Sequence, residues 1–354
     1  MKVCILGDTH FGVRNDSDLF HRYFEKFYSE VFFPYLEKNN ITTVFQLGDL
    51  FDKKKNVNFY TLSRARSYFF NELKRRNINL IVNVGNHDTF YKHSNEISAP
   101  KLLLKDYSNI TVIDYPQEFY FPDDDKPLFI LPWLCKANLS AFEKMAEQTS
   151  ASIVLGHLEL AGFSMYRGFV TDHGMDPQIF RKFDMVLTGH FHHRSSNGNI
   201  HYVGTPYELT WADYDDPKGF HILDIATREL EFIPNPFNMF HKVEYDDAGV
   251  SIEEVIDFDV SAYADSYVKV VATNKTNPFI FDAFVKKIED VAADVKVTEN
   301  ALVLLLDDCE VEDMEDTLSL LVKVVEETET NVPKEKLNDL MLDLFTEASR
   351  MEVA

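Results

Sequence analysis

The feature that most constrains this chain is a set of five short fragments that carry metal-ligand side chains. They are GDTH at 7–10, GD at 48–49, GNHD at 85–88, GH at 156–157 and GHFH at 189–192. Each fragment follows a short apolar stretch of the kind that forms a buried strand. Because α/β sheets bind ligands in the crevice beyond the carboxyl ends of their strands, the fragments predict one shared site at such an edge.

The alternation of strand-like and helix-like segments predicts a layered α/β fold. Near-continuous apolar runs are typical of strands in a sheet that is covered on both faces. Helical patterns lie at 19–37 and 60–75, and helices become scarce after about residue 200, where antiparallel strands are expected. Strands are predicted at 3–6, 43–47, 79–84, 128–131, 152–155, 185–187, 200–203, 220–225 and 229–233.

A length of 354 residues fits one large domain and a smaller one. The stretch PNPFN at 234–238 is a candidate hinge or loop. We therefore predict a large domain over 1–240, a small α/β capping domain over 241–306, and an acidic linker with helices over 307–354.

The distribution of charge is uneven along the chain. The formal net charge of −23 argues against a general nucleic-acid binder. However, residues 307–354 alone carry a net −11, whereas residues 53–101 carry a net +7. A basic segment therefore lies between two of the ligand fragments.

Composition also indicates the compartment. No run of 18 or more apolar residues is present, so no membrane span is expected. The chain opens directly into a strand-like segment without the features of a signal peptide. Its three cysteines are far apart and form no CxxC pair, which favours a reducing compartment. We expect a cytoplasmic protein, in the host cytoplasm if it is encoded by a phage.

The donor types indicate the ion. Two Asp, one Asn and five His, one of them spare, without a thiolate suit borderline-hard divalent ions such as Mn²⁺, Fe²⁺ or Zn²⁺. We expect two such ions, Mn²⁺ first, with Mg²⁺, Fe²⁺ or Zn²⁺ as alternatives. Two ions about 3.5–4 Å apart need a bridging carboxylate, and Asp49 is the natural candidate. Glycine precedes nearly every ligand, which suggests that the backbone approaches the ions closely.

Longer motifs around these fragments extend the pattern, and together they resemble the calcineurin-like metallophosphoesterases. Within that family the similarity is to the SbcD-type double-strand-break repair nucleases and to the recombination endonuclease subunits of T-even-like phages. The motifs are GDTHFG (7–12), GDLFD (48–52), VGNHD (84–88), GHLELAGF (156–163), GHFHH (189–193), YVGTPYELT (202–210) and FIPNP (232–236).

The resemblance implies a fold, a ligand set and catalytic roles. Two central sheets flanked by helices would carry the small cap domain and C-terminal helices. His87 would be the catalytic imidazole, and Asp88 would orient it. One ion would be held by Asp8, His10, Asp49 and His192, and the other by Asp49, Asn86, His157 and His190.

The function implied is a Mn²⁺-type DNA exonuclease or endonuclease. Two ions would activate a water and neutralise the phosphodiester, while His87 would assist the transition state or the leaving alkoxide. The first alternative is a metallophosphatase of small molecules or proteins. The second is a scaffold whose metals are purely structural, although such a site needs no catalytic imidazole.

Basic residues near the fragments are candidate DNA contacts. Lys53, Lys54 and Lys55 follow Asp49 closely, and Arg14 lies just beyond GDTHFG. Their charge would neutralise phosphates. The basic residues at 64–76 fit a solvated helix face equally well.

An apolar stripe near the C-terminus is a candidate partner-binding surface. The resemblance implies a partner, the coiled-coil base of an ABC-type ATPase, but a tail docked in cis is an open alternative. Helices near 19–37 and 60–70 are candidates for a homodimer interface, although core packing explains them equally well. The stripe consists of Leu337, Leu340, Met341, Leu344 and Phe345.

Overall fold

The computed structural model of the chain describes residues 1–122, 126–166, 169–248, 251–298, 325, 334, 336–337 and 340–341. The chain divides into two compact units. The first consists of Met1–Leu209 and Asp213–Val297, and the second of Thr210–Ala212 and Thr298–Ala354.

The described residues form nineteen strands, which fall into two large sheets, one small sheet and two hairpins. Their bounds are β1 Lys2–Leu6, β2 Thr43–Gln46, β3 Asn79–Asn83, β4 Thr89–Tyr91, β5 Ser94–Ser98, β6 Ile110–Ile113, β7 Gln117–Phe119, β8 Leu128–Leu131, β9 Ile153–His157, β10 Ser164–Tyr166, β11 Phe169–Val170, β12 Met185–Gly189, β13 Ser195–Asn197, β14 Ile200–Tyr202, β15 Gly219–Asp224, β16 Leu230–Pro234, β17 Phe240–Asp246, β18 Tyr267–Asn274 and β19 Asp294–Thr298.

Two long helical segments each contain a π-helical turn, at Tyr28–Phe32 and at Arg66–Phe70. No helix among the described residues is long and apolar enough to cross a membrane. The α-helical bounds are Asp18–Phe27, Phe33–Lys38, Phe59–Ala65, Asn71–Arg75, Ala99–Leu103, Leu139–Gln148, Ile252–Ile256 and Pro278–Glu289, with a distorted turn at Val13–Asp16 and 3₁₀ turns at Pro177–Phe180, Trp211–Asp213 and Ser261–Tyr263.

Two six-stranded sheets face each other across the main core. The first has the order β16-β15-β1-β2-β3-β6 and the second the order β13-β14-β12-β9-β8-β7. One buried cluster contains residues of both sheets, including Ile5 and Phe45 from the first and Leu155 and Leu187 from the second. The predicted fold class, two central sheets flanked by helices, is confirmed.

Helices cover the outer face of each sheet. An aromatic layer that includes Phe24, Tyr28 and Phe69 packs against the first sheet, where Phe32 meets Phe220 of β15. The helix Leu139–Gln148 covers the second sheet through Phe142, which stacks on Phe129. Burial on both faces explains why the central strands are continuous apolar runs.

A separate three-stranded sheet, of order β17-β18-β19, has a core of its own. Strands β17 and β18 are parallel, and the helix Pro278–Glu289 covers them through Phe281, Phe284 and Ile288. This sheet lies within the predicted cap range of 241–306, and β17 begins one residue before it. The three-domain division stays a prediction.

The central strands lie within two residues of their predicted positions, and both long helices occur where periodicity placed them. Pro234 ends β16 and Phe240 begins β17, so the predicted hinge or loop at 234–238 is a connection between strands. The hairpin β4–β5 and the helix Leu139–Gln148 were not predicted.

Most of the predicted helices at 317–327 and 334–350 lies outside the described residues, as do Leu344 and Phe345, whereas Val325 is described, helical and buried. Leu337, Leu340 and Met341 are described and helical, and Leu340 is 53% exposed.

Glu208 lies in the connection between β14 and β15, and its buried side chain bonds to the start of β17 in the small sheet. Glu208 is 3% exposed, and its Oε2 accepts hydrogen bonds from the backbone N–H groups of Met239 and Phe240, at 2.6 and 2.9 Å. Burial raises the pKa of Glu208 from 4.5 to about 7, although these two hydrogen bonds act in the opposite direction. Because the folded state holds the proton more tightly, Glu208 contributes stability below pH 4.5 that is lost as the pH rises through 7.

We therefore expect Glu208→Gln to gain stability relative to the wild type as the pH rises. The difference in unfolding free energy between the two proteins should shift by about 2–3 kcal/mol from pH 5 to pH 8. Denaturant unfolding at several pH values measures it, with the exposed Glu229→Gln as a control whose curve stays parallel to the wild type. Parallel curves for Glu208→Gln would contradict the assignment.

Candidate metal centre

The candidate ligands follow the carboxyl ends of five strands. Asp8 follows β1, Asp49 follows β2 and Asn86 follows β3, while His157 ends β9 and His190 follows β12. The first three strands are parallel neighbours in one sheet, and β9 and β12 are parallel neighbours in the other. The ligands from both sheets therefore meet at one edge of the double layer.

Six of the seven predicted ligands fall into two clusters. Within each cluster the ligand atoms lie within 4.8 Å of one another. We call Asp8, His10 and His192 the first cluster, and Asp49, His157 and His190 the second cluster.

Asp49 faces both clusters. Its Oδ2 lies 3.3 Å from His157 Nε2 and 3.9 Å from His10 Nε2. One carboxylate oxygen therefore has an imidazole nitrogen of each cluster within reach, which is the arrangement expected of a bridging ligand.

Asn86, the seventh predicted ligand, belongs beside the second cluster. Its Oδ1 lies 2.9 Å from His157 Nε2 and 3.1 Å from His190 Nδ1. An amide oxygen and two imidazole nitrogens thus converge on one point next to Asp49.

Burial favours neutral imidazoles at His190 and His192. It lowers the pKa of His190 to about 3, with the charge of His157 as the next cause. It also lowers the pKa of His192 well below its usual value, helped by His10. A neutral imidazole has a free lone pair, which is the form that binds a metal.

The buried carboxylates and imidazoles of the site shift one another's pKa values. Burial raises the pKa of Asp8 to about 7, whereas at Asp49 the effect of burial is outweighed by His157 and His87, which hold its pKa well below the usual value. Burial alone would lower the pKa of His157, but Asp49 and Asp8 raise it to about 9. The field that favours a proton on His157 would equally favour a divalent cation.

The residues fit a pair of divalent ions. Asp8 Oδ1 is buried and has no hydrogen-bond partner among the described residues. His10 Nε2 and His192 Nε2 lie only 3.1 Å apart, a separation suited to two ligands of one ion. Nitrogen and oxygen donors without thiolate match borderline or hard divalent ions.

Three ligand residues have strained backbones. His10, Asp49 and His190 have φ values of 42°, 50° and 89°, in the left-handed region that favours glycine. Each such residue costs about 1–3 kcal/mol and persists where the surrounding structure fixes it. His10 N and Thr9 N both donate to the carbonyl oxygen of Asp49, and His190 N donates to Asp8 Oδ2.

His87 lies beside the first cluster, and its ring centroid is 4.9 Å from that of His10. Its backbone N–H donates to Asp49 Oδ1 at 2.8 Å, and its Nδ1 lies 2.6 Å from the carbonyl oxygen of Asp52. Because a carbonyl only accepts, Nδ1 carries a hydrogen and the tautomer is fixed. Sequence reasoning missed Asp52, whose Oδ1 also lies 3.4 Å from His10 Nδ1.

Asp88 fixes the loops around the ligands. Its carboxylate accepts hydrogen bonds from the N–H groups of Leu50, Phe51 and Gly85, between 2.9 and 3.2 Å. Burial raises its pKa to about 7, and Asp49 adds to the effect. These contacts connect the loop after β2 to the loop after β3, which carries His87.

Trp133 is a further site residue that sequence reasoning missed. Its ring centroid lies 5.2 Å from that of His190 and 6.0 Å from that of His157. Two buried amides, Asn95 and Asn138, donate to its carbonyl oxygen at 2.8 and 3.0 Å. An apolar wall therefore lies against the second cluster, and the only sequence signal for it was a tryptophan shortly after β8.

The four predicted substrate contacts differ in their surroundings. The charge of Lys54 lowers the pKa of His190, although burial and other neighbouring groups have larger effects on that pKa. Lys53 is paired with Asp16 at 3.0 Å, and Lys55 is exposed. The Arg14 guanidinium lies 5.7 Å from the ring of Phe240 in the small sheet.

Most arginines of the segment 64–76 are paired within the fold. Arg64 pairs with Glu25 at 2.8 Å, and Arg76 pairs with Glu37 at 2.7 Å and with Glu72. Arg66 donates to the carbonyl oxygen of Leu103 at 3.1 Å. These contacts favour the structural alternative for this segment.

Comparison with protein families gives a match to the calcineurin-like phosphoesterase family over residues 1–194. The chain is 37% identical over 245 residues to "Exonuclease subunit 1" of Enterobacteria phage T4, covering 69% of this chain and 71% of that protein.

Two bacterial proteins, each named as a subunit of the nuclease SbcCD, also match. The protein from Staphylococcus epidermidis is 26% identical over 285 residues, with 70% of this chain and 73% of that protein covered. The protein from Staphylococcus saprophyticus is 24% identical over 209 residues, with 56% of this chain and 50% of that protein covered.

Gly48 offers a test of the close approach at the second cluster. It has a φ of +102°, and a Cβ there would lie 2.3 Å from His157 Nδ1. We expect Gly48→Ala to displace His157 and to weaken Mn²⁺ binding at least tenfold, as measured by calorimetry. Gly198→Ala is the matched control, because Gly198 has a φ of +60° and no atom near a built Cβ. Equal Mn²⁺ affinities in the two variants would contradict this reading.

Proposed function

Because the chain belongs to the calcineurin-like phosphoesterase family, we propose that it is a metal-dependent nuclease that hydrolyses phosphodiester bonds in DNA. The family resemblance predicted from the sequence motifs is confirmed. The observation that carries the proposal is the position of Asp49 Oδ2, within 3.9 Å of an imidazole nitrogen of each cluster.

The proposed centre holds two divalent ions, with Mn²⁺ as the expected metal. Asp8, His10, Asp49 and His192 would hold one, and Asp49, Asn86, His157 and His190 the other. The ions would supply Lewis acidity toward the phosphate and lower the pKa of a nucleophilic water. The nitrogen and oxygen donor set supports this assignment.

His87 is proposed as the catalytic imidazole. With Nδ1 donating to the carbonyl oxygen of Asp52, Nε2 is the nitrogen that exchanges a proton with the substrate. In the protonated ring it can donate to a phosphate oxygen or to the leaving alkoxide. Asp52 and Asp88 would keep the ring and its loop in place.

A DNA substrate is supported by the nuclease names of the phage and bacterial relatives. Lys54, whose charge acts on His190, is the basic residue we favour for a phosphate contact, with Lys53, Lys55 and Arg14 as further proposals. Trp133 would exclude water beside the second cluster. The alternative within the family is a phosphatase of small molecules or proteins.

The bacterial relatives, which are named as a subunit of the nuclease SbcCD, also support a partner. We propose that the chain works with a coiled-coil ABC-type ATPase in the cytoplasm, and that Leu337, Leu340, Met341, Leu344 and Phe345 contact that partner.

The sheet β17–β19 would be the cap of the nuclease domain, as predicted for 241–306. A homodimer remains a proposal that size measurement in solution would test.

We expect His87→Ser to lower kcat on a diester substrate by about 10²–10⁴-fold, because a positioned proton donor contributes that much. Mn²⁺ stoichiometry by calorimetry should stay unchanged, since His87 is not a proposed ligand. His201→Ser is the control, because His201 Nδ1 lies 2.9 Å from Ser196 Oγ and has no proposed role. Wild-type turnover in His87→Ser at full metal occupancy would refute the role.

Three substrates separate the candidate functions. With Mn²⁺ supplied, we expect hydrolysis of linear duplex DNA and of bis(p-nitrophenyl) phosphate, and little hydrolysis of the monoester p-nitrophenyl phosphate. Chelation of the metal should abolish all activity. A preference for the monoester would support the phosphatase, whereas bound Mn²⁺ without any hydrolysis would support a structural scaffold.

A further inference from the structure

A buried lysine lies beside the metal-ligand loop, with no role in the function proposed above. Lys218 is 4% exposed and immediately precedes β15. Its Nζ lies 2.6 Å from Asp213 Oδ1, 2.8 Å from Asp216 Oδ2 and 2.9 Å from the carbonyl oxygen of His192. Three acceptors therefore surround the one ammonium group.

The position follows from the sheet. Strand β15 runs antiparallel to β1, and His221 is paired with Ile5. The start of β15 therefore lies at the edge where β1 ends and Asp8 begins the site. Lys218 reaches the loop after β12 from this neighbouring strand.

Charged groups hold the loop 190–193 at both ends. At its start, His190 N donates to Asp8 Oδ2 at 2.9 Å. At its end, Lys218 and the N–H of Thr205 donate to the carbonyl oxygen of His192. The next residue, His193, has its Nδ1 2.9 Å from Asp216 Oδ1.

Stability alone does not account for a lysine here. Replacing a buried ion cluster by apolar side chains of similar volume is often neutral or stabilising. An apolar side chain, however, has no hydrogen to donate to His192. A lysine at this position, by contrast, fixes the backbone of His192, whose imidazole belongs to the first cluster.

We propose that Lys218 is a positioning residue for metal binding at the first cluster, acting through the backbone of His192 and, with Asp216, on His193. The proposal rests on the proposed function only in taking the first cluster as a divalent-ion site. Lys218 touches neither the ion nor the substrate. Its effect is on the affinity for the first ion and, through it, on turnover.

The test compares Lys218→Met and Lys218→Arg with the wild type in Mn²⁺ calorimetry and in electron paramagnetic resonance of the bound Mn²⁺. We expect Lys218→Met to lower the affinity of one of two sites by about 10–100-fold, the usual effect of losing a group that orients a ligand. The spin-coupled signal of the pair should become that of an isolated ion. Lys218→Arg, which keeps a donor, should recover part of the loss.

A second variant covers the case in which Lys218→Met fails to fold. The triple change Lys218→Met, Asp213→Asn and Asp216→Asn removes the buried charges together, and it should fold and still show the weakened site. Two sites of wild-type affinity in either folded variant would overturn the proposal, even if the metal-free protein melts at a lower temperature.

Glu208→Gln is the matched control, since Glu208 is a buried ionisable residue of the same segment whose carboxyl group accepts from Met239 and Phe240 and not from the ligand loop. It should bind two Mn²⁺ ions as the wild type does. Calorimetry needs no turnover, so it decides the role of Lys218 by itself. Failure of the wild type to hydrolyse bis(p-nitrophenyl) phosphate would overturn the proposed function alone.

Discussion

The rest of the site depends on the contacts of Asp49. Its carbonyl oxygen accepts the N–H groups of Thr9 and His10, its Oδ1 accepts the N–H of His87, and its Oδ2 faces His10 and His157. One residue therefore connects the loops after β1, β2 and β3 to the ligand at the end of β9. It does so in a left-handed conformation, with a φ of 50°, which these several contacts stabilise.

This convergence explains why two sheets are needed. The parallel strands β1, β2 and β3 deliver Asp8, Asp49 and Asn86 from one sheet, and β9 and β12 deliver His157 and His190 from the other. The shared core between the sheets, which contains Phe45 and Leu155, fixes the distance between the two groups of ligands. Loss of packing there would separate the clusters without altering any ligand, so the stability of the core and the assembly of the site are linked.

The central strands, and the meeting of the candidate ligand residues at one sheet edge, were predictable because their signals are local. A buried strand is an apolar run, and a ligand just beyond it lies at the sheet edge. Asp52, Trp133 and Lys218 escaped prediction because their importance comes from contacts with residues far away in the sequence. Asp52 acts through its backbone carbonyl on His87, for which its residue type gives no signal. The left-handed φ of Asp49 and His190 is likewise a product of tertiary contacts.

The net charge of the segment 53–101 exceeds the positive charge that it can offer to a ligand, because some of its basic residues are paired with acidic residues. Residues 53–101 carry a net +7, yet Arg64 and Arg76 pair with Glu25 and Glu37, which lie outside that segment. The charge available to a phosphate is therefore smaller than the count, and Lys54 contributes, after larger causes, to the lowered pKa of His190. A net charge of −23 gives the chain as a whole weak long-range attraction for DNA. Divalent ions at the proposed site and the proposed ATPase partner would then supply DNA affinity that a chain with a net charge of −23 lacks.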